Sequence, residues 1–261
     1  MANFYTHLSV SGGLGIVGIT VLCGAGLITT NESLCLIALC VLGGLLPDLD
    51  SDSDNSINII SKLFSGVCAF LIMFPFITNF AILISLGLFV LSYLVCRFGV
   101  FNIISYFTRH RGLMHSVPSA GIFCFLTSIV LFKVFNLSLN FAWLGAGFVL
   151  IGYLSHLILD ESMCENLSGE PISRPRGNVF QFFGFKNRQW MFFLGLYAVL
   201  VISYFFTPKF DSFAQYLFSE KTGSHIEHRL LSGSLPVDMQ YLSDEGGGSR
   251  ARLQDGDIID I

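Results

Sequence analysis

A histidine and an aspartate four residues apart, His156 and Asp160, close a long apolar run. At that spacing both side chains leave the same face of a helix. An imidazole nitrogen beside a carboxylate oxygen is a common partial donor set for zinc and other divalent cations. Taken alone, the pair also reads as an ordinary polar helix end. An aspartate near a helix C-terminus, however, opposes the helix dipole and calls for a compensating partner.

Three further segments carry matching chemistry. Pro47-Asp48-Leu49-Asp50 ends an apolar run, and Pro47 fixes Asp48 and Asp50 at its boundary. The alternating carboxylates Asp48, Asp50, Asp52 and Asp54 have the rhythm of a calcium loop without its pattern. Counted from Asp48, the sixth and twelfth positions are Ser53 and Ile59 instead of Gly and Glu. Asp52 and Asp54 therefore read as a solvated loop. His110 and His115 bracket Arg111 and Gly112, where a turn would bring both imidazoles inward. Arg109 and Arg111 offer bidentate contact to phosphate or carboxylate, although Arg109 serves equally well as a membrane anchor. Thr6-His7 supplies another imidazole near the start of the chain, whereas His225 and His228 fall in a polar tail and are assigned no role.

The elements that position these groups follow from composition. Of 261 residues, 53% are hydrophobic and only 12% charged, and the mean hydropathy is +0.69. A soluble surface needs about a quarter of its residues charged. The 27 Phe and 26 Gly suit lipid-facing and close-packed helices. The chain is an all-α integral membrane protein. Apolar runs fall at 8–30, 33–47, 60–78, 80–98, 117–135, 140–159 and 190–206. A span takes about 20 residues, so 33–47 is short, and the expected count is about seven spans within a range of five to seven. The stretch 99–107 is amphipathic and suits the interface.

Brief turns at Asn31-Glu32, Thr78-Asn79 and Asn136 to Leu139 pair the runs into hairpins. If each run crosses once, the segments 1–7, 48–58, 99–116 and 160–189 share one membrane face. That face and the helix ends bordering it collect four of the six histidines, the Pro47 to Asp50 segment and the His156-x-x-x-Asp160 pair. It also holds Arg109, Arg111, Arg174, Arg176, Lys186 and Arg188, which the positive-inside bias places in the cytoplasm. Residues 1–206 form the membrane domain, and the polar tail 207–261 is expected on the opposite side. A short amphipathic helix around Asp211 to Phe218 precedes its disordered last third.

The net charge of −4 includes no basic stripe able to track nucleic acid, so direct nucleic-acid binding is not expected. Six of the seven cysteines sit in apolar runs without a Cys-x-x-Cys, as buried small hydrophobes rather than a disulfide framework. No Lys or Arg precedes Lys62, so the first run lacks a signal peptide's positive flank and is expected to remain in the mature protein.

With the motifs in view, the chain resembles the YdjM-like family of inner-membrane proteins. The resemblance is carried by Thr6-His7, by Gly44 to Asp50, by His110 to Ser116 and by Gly152 to Asp160, and it covers about residues 1–206 in order. Met114 stands where a small polar residue such as Thr is expected. The family comprises predicted metal-dependent hydrolases of the bacterial inner membrane, some tied to the LexA-controlled SOS response. The resemblance implies a His/Asp metal centre in a helical membrane protein and says nothing of the tail. In ligand order alone, the set is also similar to the zinc-dependent phospholipase C and single-strand nuclease group.

Six donors, His7, Asp48, His110, His115, His156 and Asp160, exceed the needs of one tetrahedral zinc with an open position. One divalent ion with supporting residues, or a pair of ions, fits that number, as zinc or manganese. Asp50 is the candidate for general base or orienting carboxylate, and Arg111 for holding a substrate anion. A site at the bilayer boundary points to a small-molecule or lipid-derived phosphoester hydrolysed by metal-activated water. The alternatives are a transporter for a divalent metal or small anion, and a non-catalytic membrane partner with a structural metal. Transporters carry ionisable groups near mid-membrane, whereas these gather at helix ends.

Overall fold

The structure is a computed structural model that describes residues 4–50, 54–77, 80–102, 114–164, 189–219 and 223–224. All regular elements among these residues are helical. They are α1 (Phe4–Gly24), α2 (Thr30–Leu45), α3 (Asp54–Met73), α4 (Ile82–Val95), α5 (Val117–Ile129), α6 (Leu139–Cys164), α7 (Gln189–Phe206) and α8 (Phe210–Leu217). A 3₁₀ turn, Pro47–Asp50, follows α2, and wide π turns extend α4 over Cys96–Val100 and α5 over Val130–Val134.

Five helical stretches among the described residues are long and apolar enough to cross a membrane: Tyr5–Gly24, Ile57–Phe76, Ile82–Val100, Val117–Val134 and Leu139–Ser162. The apolar helices Thr30–Leu45 and Leu194–Phe206 fall short of that length. Among the described residues the count thus stands at five, within the expected range of five to seven. The two π turns matter here, because they carry α4 and α5 to 19 and 18 residues.

Three expectations shift in detail. Asn31-Glu32 is not a turn but the first turn of α2. Thr29 caps that helix: its hydroxyl accepts from the Glu32 amide, and the Glu32 carboxylate accepts from the Thr29 amide at 2.7 Å. The chain reversal lies just before, where Gly26 takes a φ of 71°. The start of the predicted interfacial stretch, 99–102, continues α4 instead, and the rest of it lies outside the described residues, as do Thr78 and Asn79. The hairpin between α5 and α6 turns at Asn136 as expected, with a φ of 53°.

At the centre lies α6, the most enclosed of the spans: 61% of its apolar window is buried, against 17% for α1 and for α4. It packs most extensively on α2, then on α5 and α1. Glycines make the α2–α6 contact close. A Cβ on Gly152 would stand 2.0 Å from the Cys40 carbonyl oxygen, and one on Gly43 would stand 2.2 Å from that of Val149. Across the other face of α2, a Cβ on Gly44 would come within 2.6 Å of Ser11 on α1. In lipid, where apolar burial gives helices little reason to associate, such small-residue contacts and the dispersion they allow hold a bundle together. The α1–α2 pair gains a further tie where the Cys40 thiol donates to the Ser11 carbonyl at 3.1 Å.

The outer helices α3 and α4 form their own hairpin, pinned by Arg97. Its guanidinium donates to the Ser61 hydroxyl and, at 2.8 Å, to Asn58 Oδ1. The exposed apolar row on α4, including Ile82, Leu83, Leu91 and Phe98, faces lipid. At the other end of the bundle, α8 appears where an amphipathic helix was expected and buries Phe213 against Trp143 of α6. Tyr216 of α8 lies near Glu32, and burial together with that carboxylate pushes its phenol pKa up.

The glycine contacts predict a contrast. Gly152→Ala should cost about 3 kcal/mol or more, because its methyl meets backbone that cannot rotate away. Gly147→Ala, with open space around it, should be neutral or gain up to about 1 kcal/mol from helix propensity. Reversible unfolding of the two variants in mixed micelles reads the difference, and equal stabilities would refute the close approach.

Candidate metal centre

Four separate elements deliver the donors. His7 lies in the first turns of α1, Asp48 in the 3₁₀ turn after α2, His115 just ahead of α5, and His156 and Asp160 near the end of α6. The hairpin arrangement expected from the sequence brings their side chains together. His7 Nε2 stands 3.3 Å from Asp160 Oδ1, while His156 Nε2 and His115 Nε2 stand 3.4 and 3.5 Å from Asp160 Oδ2. Asp48 Oδ1 approaches His156 Nε2 at 3.6 Å. The His7 and His156 rings stack with centroids 3.8 Å apart, and His115 meets His156 edge-on at 5.7 Å.

Asp160 is the hub, since three imidazoles surround its two oxygens. It sits one turn inside the C-terminus of α6, where the helix dipole disfavours negative charge. The imidazoles are the compensation that its position demands. Burial sharpens that demand, because a carboxylate withdrawn from water must be paired or coordinated.

His156 defines what the cluster can hold. Its Nδ1 lies 2.8 Å from the Gly44 carbonyl oxygen. A carbonyl only accepts, so Nδ1 carries a hydrogen, which leaves Nε2 as the nitrogen whose lone pair a metal would take. That lone pair faces oxygens of two carboxylates. Nε2 is fully buried and has no hydrogen-bond partner, as is Nδ1 of His7. A nitrogen lone pair among anionic oxygens repels them unless a cation lies between. A backbone carbonyl that orients the far nitrogen of a ligating imidazole is also the usual support in metal sites. The residues therefore fit a divalent cation.

Two donor sets satisfy the spacing, His7, His156 and Asp160 in one and Asp48, His115 and His156 in the other; within each set the atoms lie within 4.8 Å of one another. Because Nδ1 of His156 is committed to Gly44, its single free nitrogen cannot serve both sets at once. Exposure grades across the cluster. The side chains of His156 and His7 are 0% and 3% exposed, Asp160 12%, Asp48 23% and His115 27%. The open side thus lies between Asp48 and His115.

Among the other expected site residues, Arg109, His110 and Arg111 lie outside the described residues. Asp50 closes the 3₁₀ turn, but its side chain also lies outside them. Two participants escaped the sequence reading. One is the Gly44 carbonyl, whose signal was the pairing of Gly43-Gly44 with Gly152 on apolar helices. The other is Tyr153, fully buried, whose hydroxyl donates to the Met114 carbonyl.

Residues 1–219 match the family described as YdjM inner membrane protein, so the match runs past the motifs to include α8. No curated protein and no solved structure gives a match.

The hub geometry predicts unequal costs for neutralising the two carboxylates. In metal-free protein, Asp160→Asn should lower unfolding stability by about 2–4 kcal/mol, because it removes the carboxylate around which three imidazoles gather. Asp48→Asn, at the open edge, should cost under about 1 kcal/mol. Denaturant titrations of both variants give the comparison; equal losses would remove Asp160 from the centre of the cluster.

Proposed function

The chain belongs to the YdjM inner membrane protein family, and from that footing we propose that it is a membrane-bound metal-dependent hydrolase. The carrying observation is Nε2 of His156, turned toward Asp48 and Asp160 while Nδ1 is held by the Gly44 carbonyl. His156 and Asp160 would hold a zinc or manganese ion, with donors drawn from His7, Asp48 and His115. The chemistry such an ion supplies is Lewis-acid activation of water for attack on an ester.

The chain's own groups have separable tasks. Gly44 accepts from Nδ1 of His156 and so turns Nε2 toward the carboxylates, where it would ligate the ion. Asp160 fixes the three imidazoles by charge. Asp48 and His115, the more exposed pair, face the side from which a substrate arrives and can pass a proton to water there. Asp50 is assigned as general base or orienting carboxylate and Arg111 as the anion holder, on their place in the sequence. A lipid-derived phosphoester or a small phosphoester is the substrate class proposed, with the site opening on the cytoplasmic face.

The transport alternative is less well supported. Among the described residues, α1, α2 and α6 carry no His, Asp or Glu between the cluster and Glu32 at the far end. A path for ions would need such groups along its length.

Metal analysis of detergent-purified protein should return one or two equivalents of zinc or manganese. His156→Ala and Asp160→Asn should reduce it to background while helicity is kept. A phosphoester and phospholipid panel should then show turnover in the wild type that those variants lose. Metal retained by both variants would overturn the site, and metal-loaded protein inert on the whole panel would overturn the hydrolase.

A further inference from the structure

The most exposed imidazole in the cluster is also the one with least helical support. His115 precedes α5, whose N-cap is Ser116. The other three α-helical donors are held by the regular backbone around them: His7 in α1, and His156 and Asp160 in α6. Something else must keep His115 at 3.5 Å from Asp160 Oδ2. The adjacent Met114 carbonyl accepts the Tyr153 hydroxyl, and Tyr153 is 0% exposed. Tyr153, His156 and Asp160 lie on α6 at i, i+3 and i+7, so one stripe of that helix carries all three. The Tyr153 ring also stacks on Phe123 of α5 at 5.9 Å, a packing contact separate from the hydroxyl's bond to Met114.

We propose that Tyr153 is a positioning residue that holds His115 in the donor cluster by gripping the Met114 carbonyl. The hydroxyl ties the segment entering α5 to the stripe of α6 that carries His156 and Asp160. Through Met114, Tyr153 sets the reach of the most exposed imidazole of the cluster. In the metal-bound protein this inference rests on the hydrolase reading above, but the tie to His115 does not.

Tyr153→Phe is the test, since it keeps the ring and its packing and removes only the hydroxyl. In metal-free protein in detergent micelles, carbethoxylation of His115, followed by mass spectrometry, should become several-fold faster in Tyr153→Phe. Phe123→Leu, which loosens packing but keeps the hydroxyl, should leave that rate unchanged. Unchanged His115 reactivity in Tyr153→Phe, or equal acceleration in Phe123→Leu, would overturn the proposal. In metal-loaded protein, competition with a chelator should show zinc affinity falling about 10- to 100-fold in Tyr153→Phe, the usual effect of removing an orienting partner. His115→Ala should absorb that loss, so that the double variant binds zinc no more weakly than His115→Ala alone. A full additional loss in the double variant would mean that Tyr153 acts elsewhere and would also overturn it. If wild-type protein binds no zinc while His115 reactivity still follows the Tyr153 hydroxyl, the hydrolase reading fails and the positioning role stands.

Discussion

The contact between the backbones of α2 and α6 is the constraint from which the site follows. Gly152 leaves its helix no side chain where the Cys40 carbonyl approaches, and Gly43 does the same beneath Val149. Only at that separation does the Gly44 carbonyl reach Nδ1 of His156, four residues beyond Gly152. With bulkier residues at the crossing, α6 would stand off and His156 would lose its partner. Ser11, small and facing Gly44, extends the same logic to α1 and brings His7 onto the His156 ring. Steric permission at three glycines thus becomes chemical definition at one nitrogen.

That definition carries an electrostatic cost which the cluster itself offsets. Asp160 is disfavoured twice, by the helix dipole and by removal from water. Three imidazole nitrogens within 3.5 Å answer both. The His7 and His156 rings also stack, with centroids 3.8 Å apart, so the donors crowd into one small volume. Under the proposed function, a single cation there would be shared by the imidazoles and the carboxylates.

Much of this was legible in the sequence, and the remainder failed for identifiable reasons. Hairpin parity was enough to bring His7, Asp48, His115 and His156-x-x-x-Asp160 to one face, because each apolar run reverses the chain once. The amphipathic pattern after Phe206 similarly foretold α8. The reversal before α2 was misplaced by a few residues because Asn and Glu were read as turn formers, whereas Thr29-x-x-Glu32 is a capping box and makes them helical. Among the described residues the spans number five, the lower end of the expected range, because an apolar run measures hydropathy and not helix length. Thirty to forty-five is a helix enclosed by its neighbours, and enclosure asks for apolar residues as lipid does. Gly44 and Tyr153 were hidden for another reason. A backbone carbonyl has no residue type, and a tyrosine's role depends on what its hydroxyl meets 39 positions away.

The same enclosure explains why the donors sit where they do. A helix such as α6, buried along most of its length, offers no water to a charged group except near its ends. Moving His156 and Asp160 two turns toward Gly145 would place them where Leu131 and Leu39 already crowd the glycine. There a carboxylate would have neither solvent nor room for partners. Near the C-terminal end, four elements meet and each can lend one or two polar side chains, while the outermost of these remain within reach of water. The exposure gradient from His156 through Asp160 to Asp48 and His115 is that compromise expressed in residues. In the proposed reading, the buried inner groups would hold the cation, and the more exposed outer ones would meet water and substrate.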